Sequence, residues 1–223
     1  MTRHFHRLVV THKGMKHSKI YIAGTKTSDD WKQVRPLLAS QKDHAAWEKA
    51  YTDFYLTRLN MRYLKPIKLL QDGGAFEGEG FSIVTIQCSL VEFLETTIQG
   101  TSYRYLRNGE TLGQHEYSSS KDVFISFLTN REPFRQHFDP LTAKAFYEHI
   151  RCGLLHEART KAGWKIWART EGTKIIDVNA KTVFRDNLQV AFETFLVKYK
   201  DDLMKSEGLQ AAFVRKFDSL CRD

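Results

Sequence analysis

The segment Tyr147-Glu148-His149-Ile150-Arg151-Cys152-Gly153-Leu154-Leu155-His156-Glu157 holds two side chains with complementary chemistry. Arginine presents a planar, permanently charged fork that matches the oxygens of a phosphate. Histidine gives or takes a proton near neutral pH. Arg151 and His156 are thus the pair that metal-free cleavage of RNA requires. One group stabilises charge on the scissile phosphate, and the other moves a proton. The nucleophile is the substrate's own 2′-hydroxyl, so the protein need not supply one.

Spacing constrains how the pair can work. Positions five apart diverge by about 140° around an ideal α-helix. Arg151 and His156 therefore do not stack on one face, and a single helix needs a bend or a second copy to bring them together. Gly153 lies between them and permits close backbone approach. Two such helices crossing near Gly153 would unite two Arg and two His, which predicts a homodimer. His149, seven residues before His156, is an auxiliary candidate. Arg159 and Lys161 follow the motif and would flank a phosphate held near it. Arg58 and Arg62, with Lys65, share one helical face and form a second candidate RNA-binding strip. The plainer alternatives are an Arg151 that bridges Glu148 or Glu157, a half-buried His156, and a merely solvated Arg58 stripe.

The elements that must position these groups are mostly helical. A helix is expected from about Lys42 to Leu64, with a core stripe of Trp47, Tyr51, Phe54 and Tyr55 and an end or kink at Pro66. Ser28-Asp29-Asp30 resembles a helix start. A second strong helix covers Phe81 to Ile98 and ends at Gly100. Residues 101–119 read as a loop, and Ser120 opens a short helix. Asp139-Pro140 starts the motif helix, with Leu141, Ala145, Ile150 and Leu154 on its core side, running to about Lys161. The runs Trp164–Arg169 and Lys174–Val178 read as a β-hairpin. Asn179 is expected to cap the next helix, which contains Val183, and Gly208 to separate it from the last one. The chain divides into a basic arm, residues 1–26, and one helical domain, residues 27–223.

The motif segment resembles the Arg-x4-6-His motif of the HEPN (higher eukaryotes and prokaryotes nucleotide-binding) superfamily. That resemblance implies a mainly α fold, a HEPN-like helical bundle with a small β-hairpin insertion after the motif helix. It further implies a metal-independent endoribonuclease without cofactor, acting as a homodimer on RNA. Its setting would be a bacterial antiviral defence or toxin–antitoxin system, with a possible antitoxin or other partner protein. Arg151 and His156 would be the catalytic residues. Two other readings stand beside this one: a non-catalytic module that binds RNA or a nucleotide, and a helical adaptor or regulator of a partner protein.

Composition agrees with a polyanion partner. The formal charge is +8 and the sequence pI is about 9.3. Hydrophobic residues make up 42% and aromatics 13%, which excludes global disorder. Cys88, Cys152 and Cys221 have neither metal-like nor redox spacing, so reduced thiols and a cytoplasmic location are expected. His4, His6, His12 and His17 have no accompanying cysteine or carboxylate, so no metal site is expected. No signal peptide is expected, nor any run of about 18 apolar residues that would span a membrane.

Overall fold

The computed structural model describes residues 19–40, 43–75 and 77–222 of the 223. The four N-terminal histidines and most of the basic arm lie outside the described residues. Among the described residues the architecture is mainly α: seven helices, with three small sheets of two or three strands.

The chain enters on β1 (Tyr21–Ala23), which pairs antiparallel with β2 (Lys26–Thr27). Ile22 and Ala23 are buried, so the last part of the expected arm belongs to the core. α1 (Ser28–Val34) starts one residue earlier than its acidic pair implied. Thr27 accepts from the backbone of Asp30, whose carboxylate accepts in return from the Thr27 backbone.

α2 spans residues 44–73 without a break and is longer than expected. Two stretches inside it, Tyr51–Leu56 and Asn60–Leu64, are wound as π-helix. The second directly precedes Lys65-Pro66. A wider turn carries the carbonyl groups of the preceding turn away from the pyrrolidine ring, so Pro66 does not end the helix as its usual clash predicts.

α3 (Glu79–Gln99) is the central helix; α2, the motif helix and both C-terminal helices pack on it. By length and composition it could cross a membrane, contrary to expectation. Much of it is buried inside this protein, and two of its buried polar side chains find partners on other elements. Gln87 donates to the Arg185 carbonyl at 2.9 Å. The fully buried Glu95 accepts from Arg131 Nε at 2.8 Å and Nη2 at 2.9 Å, and from Ser126. Gly100 closes the helix in the left-handed region, at φ 66°, as expected.

The segment read as a loop, residues 101–119, carries a short parallel pairing of β3 (Ser102–Tyr103) with β4 (Glu116–Tyr117). α4 (Ser120–Asn130) follows, capped by Ser119. α5 runs over residues 140–157 and is the motif helix. Asp139 caps it, accepting from Thr142 N at 2.7 Å. Ile150 and Leu154 are buried, but Leu141 is exposed; Ala143 and Phe146 fill the core side of the first turns.

The expected hairpin is not formed. β5 (Lys165–Trp167) pairs parallel with β7 (Thr182–Phe184), and β6 (Ile176–Asp177) pairs antiparallel with β7. The three residues assigned to a helix start after Asn179 occupy the centre of the sheet instead. Thr-Val-Phe is β-branched and aromatic, suited to that fully buried position. α6 (Arg185–Leu203) and α7 (Glu207–Leu220) complete the fold; the break falls before Ser206, which caps α7, and Gly208 lies within it.

Aromatic rings fill much of the interior. Trp31, Phe54, Phe213 and Phe217 join the chain's first helix to its last, and Trp31 Nε1 donates to Asp218 Oδ1 at 2.8 Å. Phe127, Phe134, Phe192 and Phe195 join α4 to α6. Each such ring contributes roughly 1.5–3 kcal/mol by leaving water.

Candidate functional site around the Arg151–His156 helix

The motif helix is interrupted at the motif itself. Residues Tyr147–Arg151 form a π-turn, with Cys152 N donating to the Tyr147 carbonyl five residues back. Such turns are frequent at functional sites because they re-aim side chains without ending the helix. From Cys152 to Glu157 the winding is α-helical again.

Arg151 is half-buried on the side facing α3. Its guanidinium lies over the Tyr147 ring, 5.1 Å from the centroid. That ring is held edge-on against Phe124, at 5.3 Å. Burial pushes the Tyr147 hydroxyl above its usual pKa, so it stays neutral and its ring remains a cation-binding face. Sequence reasoning gave Tyr147 no role. The available signal was its position four residues before the arginine, where helical side chains meet.

His156 is exposed near the helix end. Among the described residues, neither Arg151 nor His156 makes a side-chain hydrogen bond or an ion pair. The carboxylates expected to engage Arg151 are taken by others. Glu148 pairs with Lys121 at 2.7 Å, and Glu157 pairs with Arg159 at 2.7 Å and Lys161 at 2.6 Å. Within one chain Arg151 and His156 share no common partner. A half-buried Arg151 and an exposed His156 fit the angular divergence expected of them. His149 sits in the π-turn, half-buried, and its backbone carbonyl accepts from Lys161 N at 2.9 Å.

That bond explains Gly153, and it corrects the reading of the glycine. After Glu157 the chain turns through Ala158 in the left-handed region and folds back along the helix. A Cβ on Gly153 would lie well under 3.0 Å from the Arg159 carbonyl oxygen and 3.3 Å from Lys161 Cγ. A close approach that Gly153 permits is therefore made by its own chain. The fold-back also places Arg159 and Lys161 beside the motif.

Arg58 and Arg62 are employed elsewhere. Arg58 donates to the Ile22 carbonyl at 2.6 Å and lies over the Phe93 ring, and Arg62 donates to the Tyr21 carbonyl at 3.1 Å. Burial pulls the Arg58 guanidinium down to about 10. Both latch β1 onto α2. No group of three or more His, Cys, Asp or Glu able to hold a metal ion occurs among the described residues. Compared with profiles of protein families, with curated proteins and with solved structures, the chain matches none.

Proposed function

We propose that this protein is a metal-independent endoribonuclease whose site is completed by a second copy of the chain. One observation carries the reading. Among the described residues, neither Arg151 nor His156 gives its side chain to an internal hydrogen bond or ion pair, whereas Arg58, Arg62 and Arg131 each do. Arg151 is braced by Tyr147 yet keeps its fork for an outside anion. His156 faces out beside the exposed Leu155, and in this reading a second copy supplies the Arg151 that one chain's own helix turns away from it.

In the proposed reaction His156 takes the proton of the 2′-hydroxyl. The 2′-oxygen bonds to phosphorus as the bond to the 5′-oxygen breaks. The leaving oxygen takes up a proton, and a 2′,3′-cyclic phosphate remains. Arg151 holds the phosphate oxygens as charge develops on them. DNA, lacking the 2′-hydroxyl, is not cut.

The test is cleavage of end-labelled RNA in EDTA by the wild type and by His156→Ala. The wild type should cut. His156→Ala should lose roughly 100-fold or more while keeping RNA affinity, because proton transfer is needed only in the transition state. Equal cutting by both proteins, or cutting only with added Mg²⁺, would sink the mechanism. The second reading, a non-catalytic RNA-binding module, is favoured by the lack of a shared partner for Arg151 and His156 within one chain. A helical adaptor fits less well, because it leaves the exposed His156 unexplained.

A further inference from the structure

We propose that the cavity between α6, the Pro133–His137 turn and the loop after β5 binds a small organic anion: an apolar body carrying one carboxylate or phosphate group. The inference is independent of the ribonuclease reading.

The cavity has a volume of about 390 Å³, within the range of ligand sites. Its apolar wall is Pro133, Val190 and Ala191, and Val190 is 58% exposed. The polar side is formed by His137, Arg169 and Thr173. None of these three side chains makes a hydrogen bond or an ion pair among the described residues. An arginine fork with no internal carboxylate, lining the same cavity as an imidazole that can donate, suits an anionic oxygen pair.

Acidic groups nearby do not spoil this. Glu132 is spent on Arg135 and Gln136. Asp186 also lines the cavity, but its carboxylate accepts from Gln71 Nε2 at 2.8 Å and pairs with Arg185 at 3.5 Å. The loop is held in place before any ligand arrives. Asn187 accepts from Thr170 N and donates to the carbonyls of Thr170 and Gly172, at 3.0–3.3 Å. A preformed wall spares the ligand the cost of ordering it. Burial keeps the His137 imidazole below its usual pKa, so the empty site carries a neutral donor beside one fixed cation.

Binding is tested by NMR on methyl-labelled protein, following Val190 and Ala191 methyls and the His137 ring. The probes are benzoate, phenyl phosphate, benzyl alcohol and inorganic phosphate. Benzoate or phenyl phosphate should give saturable shifts confined to these groups, and the tighter of the two identifies the head group. Benzyl alcohol and inorganic phosphate should each bind at least tenfold more weakly, since each lacks half of the ligand. Arg169→Gln lies on an exposed side chain and leaves the core intact; it should weaken the better probe tenfold or more, and His137→Gln should also weaken it. No saturable shift from any probe overturns the proposal. So does inorganic phosphate binding as tightly as phenyl phosphate, or an Arg169→Gln protein that binds unchanged.

Discussion

Replacing Gly153 with alanine distinguishes a glycine that serves its own chain from one that serves a partner. The added methyl would lie well under 3.0 Å from the Arg159 carbonyl oxygen, a backbone atom that no rotamer change can move. The fold-back must retreat by several tenths of an ångström, straining or breaking the 2.9 Å bond from Lys161 N to the His149 carbonyl. Losing that bond costs about 1 kcal/mol, and the steric displacement costs a further 1–3 kcal/mol. Alanine returns about 1 kcal/mol through its better helix propensity. The net expectation is a loss of about 1–3 kcal/mol, measured by urea unfolding at two protein concentrations tenfold apart. Because the clash is internal, the difference from wild type should be the same at both. A variant as stable as wild type, or more stable, would show that the fold-back does not rest on Gly153. A loss that shrinks on dilution would return the glycine to a dimer contact.

Three further outcomes follow from single interactions. Arg131→Met leaves the fully buried Glu95 without its bidentate partner and should cost about 3 kcal/mol or more in urea unfolding, whereas Glu95→Leu combined with Arg131→Met should recover most of it; equal losses in the single and double variants would refute the pairing argument. Burial pulls Lys216 down to about 8, with Arg58 adding repulsion and Glu92 opposing it. The unfolded chain then holds the extra proton between about pH 8 and the usual lysine value of about 10.4, so this residue's penalty is full below pH 8 and fades as pH rises. Lys216→Met should therefore be more stable at pH 7, by about 2 kcal/mol after its lost bond to the Thr101 carbonyl, and the gain should shrink by pH 10; a gain independent of pH would refute this. Glu157→Gln releases both Arg159 and Lys161, so RNA binding should strengthen at low salt and its salt slope should steepen; an unchanged slope would place the RNA track elsewhere.

Much of the helical frame is legible in the residues. α3 follows from the apolar spacing of Ile83, Leu90 and Leu94 and from the Gly100 stop, and the start of α5 follows from Asp139-Pro140. The π-turns are not legible. A shift from four-residue to five-residue hydrogen bonding changes no residue type, and it decides where Pro66 is tolerated and how Arg151 is aimed. β7 escaped because one of its two partners lies outside its own neighbourhood: besides the local β6, Thr182–Phe184 pairs with residues 165–167 across a crossover. Of the site, Arg151 and His156 could be singled out by type and spacing, and Tyr147 could have been. The latching of Arg58 and Arg62 could not, since it depends on the carbonyls of Tyr21 and Ile22, 41 and 36 residues away. The convergence of His137 with Arg169 is likewise a product of packing alone.

The bond between Trp31 and Asp218 also has a consequence for biosynthesis. The two residues are 187 positions apart, and α7 supplies the Phe213 and Phe217 rings that cover the indole. At roughly 5–20 residues per second, α1 waits about 10–40 s on the ribosome before its covering helix has been made. During that interval the indole of Trp31 lacks the Phe213 and Phe217 rings and has Phe54 as its early ring neighbour. The nascent polypeptide therefore offers a tryptophan-bearing surface to holding chaperones until the last helix is delivered. Premature termination before Phe213 would leave that surface permanently open, marking the shortened product for proteolysis.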